Sequence, residues 1–252
     1  KAKTPDEIYE AVKKFDWEQY MDLKTGFAVD ATVFSEEITH SKYATYRVKD
    51  GIADWFREKY DKRPSVKLNN PDLQFNVHIS HDTCTISLDS SGESLHKRGY
   101  RVGQTDAPIS EVLAAGMLLL AGWNGQCNFI DPFCGSGTFL IEAALIALNI
   151  PPGLYRSSFG FEKWKDFDKD LFDVLYQDES GERAFEHRIF GYDISRKAIR
   201  IASENIKSAG LSKYIQLSVQ PIDQLKAPAG KNLIVTNPPY GERLDFKELA
   251  DT

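Results

Sequence analysis

The chain has 252 residues, 42% of them hydrophobic and 27% charged, with a formal net charge of -6 and a mean hydropathy of -0.40. This is ordinary globular usage for one large domain or two small ones, and it excludes a chain-wide disordered or fibrous protein. The longest apolar run, Val112–Leu120, contains a glycine and falls far short of the ~18 residues that a membrane helix needs.

The N-terminus, Lys1-Ala2-Lys3-Thr4-Pro5, runs directly into a polar helix, so nothing there resembles a signal peptide. Without an initiator Met, the true start is expected upstream. The spacing of Ile8, Ala11, Val12 and Phe15 predicts a helix over 5–15, with Thr4 as N-cap and Pro5 in the first turn. Phe27, Val29, Ala31 and Val33 alternate and predict a strand over 26–34. Residues 41–60 read as a helix carrying Ala44, Val48, Ile52, Trp55 and Phe56. Leu73, Phe75, Val77 and Ile79 alternate again. Cys84, Ile86 and Leu88 follow across the turn Ser80-His81-Asp82, as in a hairpin. The result is a small α+β module, too short for a common catalytic domain.

A second part begins near residue 105. Residues 108–122 read as an apolar helix stopped by Gly122, and 127–131 as a short buried strand. The strand leads into Asp131-Pro132-Phe133-Cys134-Gly135-Ser136-Gly137-Thr138 and a helix through Leu148. Residues 150–188, rich in aromatics and charges, show no clear period and read as an insertion. Strand 189–192, helix 195–209 with Gly210 at its end, strand 214–219 and strand 232–236 follow. Strands alternating with helices imply a parallel α/β sheet. The three cysteines, Cys84, Cys127 and Cys134, are too few and too irregular for a disulfide framework or a zinc site. Buried reduced thiols, a cytoplasmic setting and no metal are expected.

A strand, a glycine turn and a helix form a ready site for an anion or polar ligand. The dinucleotide fingerprint G-x-G-x-x-G fails at Leu140, and Asp193 comes too late to be its acid; a Walker A loop fails because no Gly-Lys-Ser/Thr follows. An ordinary βα turn is the bland alternative, but Asp131 precedes this one and other strand ends agree with it. Asp193 can accept both ribose hydroxyls of a nucleoside, although either it or Ser195 can also cap the next helix. Asp223 can reach an adenine amino group or simply be a solvated loop acid. Asn237-Pro238-Pro239-Tyr240 is the most specific feature. Two prolines fix φ and remove two N–H donors, leaving the Asn237 side chain and the Pro238 carbonyl as projecting acceptors. An exocyclic NH2 group can donate to both, which aims its lone pair at an electrophile, while Tyr240 stacks on the ring.

The second half thus resembles a class I S-adenosylmethionine-dependent methyltransferase of the N-P-P-Y group. The whole chain resembles the THUMP-domain RNA methyltransferases, in particular the bacterial enzymes that methylate guanine N2 in 23S ribosomal RNA. The residues carrying the likeness are His96-Lys97-Arg98-Gly99-Tyr100-Arg101, Ala107-Pro108, Asp131 to Thr138, Pro152-Gly153-Leu154 and Asn237 to Leu244. Leu73 to Leu88 matches the later part of a THUMP domain more weakly. The resemblance implies a THUMP-like RNA-binding domain over 1–95, N-terminally incomplete. A Rossmann-like methyltransferase domain follows over 96–252, C-terminally incomplete. It assigns Asp131, Cys134, Gly135, Gly137, Thr138, Asp193 and Asp223 to the cofactor, and Asn237, Pro238 and Tyr240 to catalysis on the guanine. It places Arg98, Tyr100 and Arg101 near cofactor or RNA, with a packing strand as the alternative.

Two departures suggest the middle of a longer protein. Four strands are recognisable where the class carries seven, and the ferredoxin-like part that normally precedes a THUMP domain is missing. Competing readings are a tRNA guanine-N2 or adenine-N6 methyltransferase, a protein glutamine methyltransferase and a non-catalytic RNA-binding protein with a degenerate cofactor fold. An NAD-dependent oxidoreductase ranks last. The overall acidity argues mildly against nucleic acid, but residues 42–67 are locally basic. Lys59, Lys62 and Arg63 are the candidate RNA contacts there, and a solvated helix face is the alternative.

Overall fold

Local signals set the first elements. The Thr4 hydroxyl accepts from the Glu7 amide at 3.2 Å and opens helix α1 (Pro5–Lys13), whose Ile8 and Val12 are buried. The computed structural model describes residues 4–36, 38, 40–106 and 108–239. By packing, the chain divides into two units. One holds the residues up to Ser94 together with Ser158–Phe172, and the other holds Leu95–Ser157 and the residues from Asp173 onward.

In the first unit, strands β1 (Phe27–Phe34), β2 (Leu73–Ser80) and β3 (Thr83–Leu88) form a sheet in that order. β1 and β2 are parallel, with Phe27 opposite Leu73; β2 and β3 are the expected antiparallel hairpin. Helix α2 (Ser41–Tyr60) supplies Val48, Ile52 and Phe56, which pack with Ile8, Val12, Val29, Phe75 and Ile79. Trp17 joins this core and donates its indole N–H to the Val12 carbonyl at 2.8 Å. Part of the segment expected to be an insertion belongs here. The Phe161 amide donates to Ser90, the Lys163 ammonium to the Pro71 carbonyl, and the Trp164 ring packs on the core.

The second unit is built on a parallel sheet of β4 (Asn128–Asp131), β5 (Ile189–Asp193), β6 (Ile215–Val219) and β7 (Asn232–Ile234), in the order β6-β5-β4-β7. Its helices are α3 (Glu111–Leu120), α4 (Thr138–Leu148), α5 (Lys169–Tyr176, which starts in the first unit) and α6 (Arg196–Ser208). Apart from Thr138 and Glu142, α4 is apolar all round, and it is almost wholly buried, as a central helix must be. The chain winds outward from β4 through β5 to β6, then returns to the other side of β4 with β7. The crevice at the carboxyl ends of β4 and its neighbours is therefore the switch point where α/β sheets bind ligands.

Close packing of α4 on β5 requires a glycine. A Cβ on Gly191 would lie 2.3 Å from Leu140 Cδ1 and 2.8 Å from Leu217 Cδ2. Leu140 is fully buried and has little room to yield. Gly191→Ala is therefore expected to lose about 1–3 kcal/mol of stability by overpacking, read as a lower urea midpoint with unchanged slope. An unaltered midpoint would mean that the layer has slack.

Candidate active site

Four features meet at the carboxyl ends of adjoining strands. Asp131 ends β4 and is 1% exposed. Its Oδ1 accepts from the Thr236 hydroxyl at 2.6 Å and from the Phe133 amide at 3.1 Å. Burial pushes its carboxyl up to about 7, and the charge of Asp193 adds to the rise against the pull of the two hydrogen bonds.

The glycine turn follows. Gly135 and Gly137 have φ of 53° and 84°, the left-handed region that favours glycine. The Cys134 amide donates to Tyr192 at 2.9 Å, tying the turn to β5. Gly137 is the N-cap of α4 and brings no capping side chain, so the first amides of the helix keep their capacity for a ligand. Asp193 ends β5, and its Oδ2 accepts from the Gly135 amide at 3.0 Å while Oδ1 accepts from the Ser195 amide at 2.8 Å. Each oxygen has a second lone pair for a ligand hydroxyl. The cap of α6 is Ser195, whose hydroxyl accepts from Ala198; Asp193 is not the N-cap.

Thr236, bonded to Asp131, sets the half-buried Asn237 one residue beyond, with Pro238 and Pro239 exposed. Tyr240 and the rest of that motif lie outside the described residues, as does Ala107. The Gln220 amide donates to the Asp193 carbonyl, which brings the turn holding the exposed Asp223 to the same strand end. The Cys134 side chain is buried and packs toward Gly191, with its thiol pushed well up by burial, so only its backbone faces the turn. Cys127 is buried as well, Cys84 is half-buried, and all three are free thiols.

Arg98, Tyr100 and Arg101 turn inward within this unit. The Tyr100 hydroxyl donates to Glu142 at 3.0 Å from a site 1% exposed, and burial raises the Glu142 carboxyl. Arg98 makes a long contact to the same carboxylate at 3.5 Å. Arg101 pairs with Glu111 at 2.8 Å. Sequence reasoning missed Thr236, Glu142, Glu111 and Asn205. Only Glu142 left a signal, as the lone acid of an apolar helix.

In the first unit the three candidate RNA contacts differ. Lys59 is paired with Glu18 and lies over the Trp55 ring. Lys62 and Arg63 are exposed beyond the helix end at Asp61 and, among the described residues, have no ion-pair partner. Among the described residues no group of side chains can hold a metal, and no helix is long and apolar enough to cross a membrane.

A parallel sheet with this order, a glycine turn after its first strand and acids at adjacent strand ends define a class I methyltransferase fold, here preceded by a THUMP domain. The chain belongs to the family of the RMKL-like methyltransferase domain, which matches residues 98–251; the THUMP domain matches residues 2–89. A protein of Desulfotalea psychrophila named ribosomal RNA large subunit methyltransferase K/L is 42% identical over 253 residues, 96% of this chain and 35% of its own length. Its namesake in Syntrophotalea carbinolica is 45% identical over 257 residues, 96% of this chain and 36% of its own. The chain thus spans about a third of the length of these curated relatives. Among solved structures, SMU.472 complexed with SAH is 31% identical, covers 99% of this chain with 67% of its own, and has a TM-score of 0.84.

The raised Asp131 carboxyl has a consequence for stability. The native state keeps its proton up to about pH 7, whereas the unfolded chain releases it near the ordinary value of about 4. Between those values the native state binds more protons, so this group's contribution to stability falls as pH rises. Asp131→Asn is expected to flatten that decline, by at most about 4 kcal/mol across the window, in urea unfolding between pH 4.5 and 7.5. Parallel curves for parent and variant would place the ionisation of Asp131 below the window.

Proposed function

We propose that this chain is part of an RNA methyltransferase that transfers a methyl group from S-adenosylmethionine to the exocyclic N2 of a guanine in large-subunit 23S ribosomal RNA. The observation that carries the reading is the convergence of Asp131, the glycine turn, Asp193 and Asn237 at adjoining strand ends. The name shared by the two relatives supports the rRNA substrate, and the SAH bound to SMU.472 supports the cofactor. The THUMP domain fits an RNA partner, and a ribosomal substrate goes with the cytoplasmic setting.

The residues present suit that cofactor. The uncapped N-terminus of α4 and the Ser136 amide, between Gly135 and Gly137, offer N–H groups to the methionine end of that cofactor. The free lone pairs of Asp193 suit the two ribose hydroxyls, and Asp223, across the Gln220 bond, suits the adenine amino group. When bound, S-adenosylmethionine supplies an electrophilic methyl group. The role of Asn237 and Pro238 is to accept the two N–H bonds of the guanine amine, holding its lone pair toward that methyl. As positive charge develops on the nitrogen, the same two acceptors stabilise it. Tyr240 stacks on the base, which has to leave its helix to reach the pocket. Domain boundaries near residue 95, as read from the sequence, fit this division of labour between RNA binding and chemistry.

Asn237→Ala in the full-length protein is expected to lower kcat on rRNA by roughly 10²-fold, while SAH affinity by calorimetry changes far less. Near-normal turnover would remove the positioning role. Lys62→Ala with Arg63→Ala should weaken RNA binding and reduce the salt slope by about 1–2, with SAH affinity unchanged. An unchanged slope would move the RNA path away from this helix end.

A further inference from the structure

Ser136 precedes Gly137 and Thr138 follows it, and both are gripped from outside the turn. The Arg101 guanidinium donates from Nη1 to Ser136 Oγ at 2.9 Å and from Nη2 to Thr138 Oγ1 at 2.9 Å. Nη2 also lies 3.4 Å from the Ile109 carbonyl, and Nε pairs with Glu111 Oε1 at 2.8 Å. From the other side, Asn205 of α6 donates to the Ser136 carbonyl at 2.9 Å. The same amide donates to the Gly103 carbonyl at 2.9 Å and accepts from the Val102 and Gly103 amides at 2.8 and 3.0 Å. Asn205 is 1% exposed and makes all four of these bonds inside the unit. Ser136 is therefore held at its hydroxyl by the 98–103 segment and at its carbonyl by α6, and Asn205 fixes that segment in turn.

Helix stability does not explain this arrangement. A cation near a helix N-terminus opposes the macrodipole, and Gly137, held at φ 84°, leaves α4 without a capping side chain. Buried Glu111 offsets the charge of the half-buried Arg101. The Gly135 and Gly137 amides already donate to Asp193 and Cys134, whereas the Ser136 amide and those of the first turn of α4 gain a fixed geometry without being consumed. We infer that Arg101 and Asn205 are positioning residues for cofactor binding, which hold the glycine turn in its ligand-ready form through Ser136. The inference rests on the proposed cofactor site.

The test uses the full-length protein with SAH as probe, measured by calorimetry beside thermal unfolding. Arg101→Lys keeps the charge and loses the fork. It should weaken SAH binding about tenfold and raise KM for S-adenosylmethionine similarly, with kcat little changed, because the turn serves ground and transition states alike. Ser136→Ala removes only the hydroxyl and should cost several-fold in affinity. The double variant should bind no worse than Arg101→Lys alone, because both changes break one contact. Tyr155→Phe, which loses a 2.8 Å bond to the Ala209 carbonyl in the same unit, should lower stability and leave SAH affinity unchanged. Failure of the parent to bind SAH would overturn the cofactor reading and this inference with it. Binding by the parent, with Arg101→Lys and Ser136→Ala both within twofold of it, would overturn the inference alone. So would additive losses in the double variant, which would make Arg101 a direct ligand contact, and so would affinity loss in Tyr155→Phe.

Discussion

A carboxylate at the end of β4 has almost no access to water, and the arrangement of the strand ends follows from how it is satisfied. A buried acid needs hydrogen bonds on its oxygens or it must stay protonated. Asp131 takes one bond from the turn that follows it and one from Thr236 beyond β7. One side chain thus fixes the exit of β7 relative to the start of the glycine turn. Asp193 does the same on the other flank, accepting from Gly135 while its carbonyl receives Gln220. Two acids therefore tie together the ends of four strands. Their proximity is unfavourable electrostatically, since Asp193 adds to the rise of the Asp131 carboxyl. Burial and mutual repulsion are common where a site is arranged for a ligand rather than for stability.

Most elements were legible because their signals are local. Alternation marks β1 and β2, 3.6-residue spacing marks α2, and the hydroxyls of Thr4 and Ser195, each accepting from the amide three residues ahead, mark helix starts. Candidate site residues at strand ends were placed for the same reason: Asp131, Asp193 and Asn237 each follow a short apolar run. What escaped depends on long-range pairing. Thr236 meets Asp131 across 105 residues and Asn205 meets Val102 across 103, and no spacing rule connects them. The segment Ser158–Phe172 escaped because its aromatics do not line one face. Phe159, Phe161, Phe167 and Phe172 pack mainly on one another, which needs a cluster and not a period.

Arg98, Tyr100 and Arg101 illustrate how a basic, aromatic motif leaves two readings open, a ligand contact and a packing strand. Such a run suits nucleic acid, yet here Arg101 and Tyr100 place their polar atoms on Glu111, Ser136, Thr138 and Glu142. A lone glutamate in an apolar helix carries the missing information, since a charge that deep needs donors from elsewhere. The same distinction applies in α2. Arg47, Lys59 and Arg57 pair with Asp6, Glu18 and Asp54 inside the first unit. Counting cations in the run overstates how many lack an acidic partner among the described residues.

The rigidity of the turn is decided at α4. Ten of its eleven residues are buried, including both faces, so the helix can neither roll nor slide without opening the core. A turn leading into such a helix inherits its fixed position on one side. Its other side leaves β4, whose last residue is Asp131. The freedom that remains is rotation of the peptides around Gly135 and Gly137, since glycine constrains φ least. Hydrogen bonds to Ser136 act on that remaining freedom, at the residue between the two glycines. The Ser136 amide and the first amides of α4 are thereby oriented by the fold, so their ordering cost is met during folding instead of on binding.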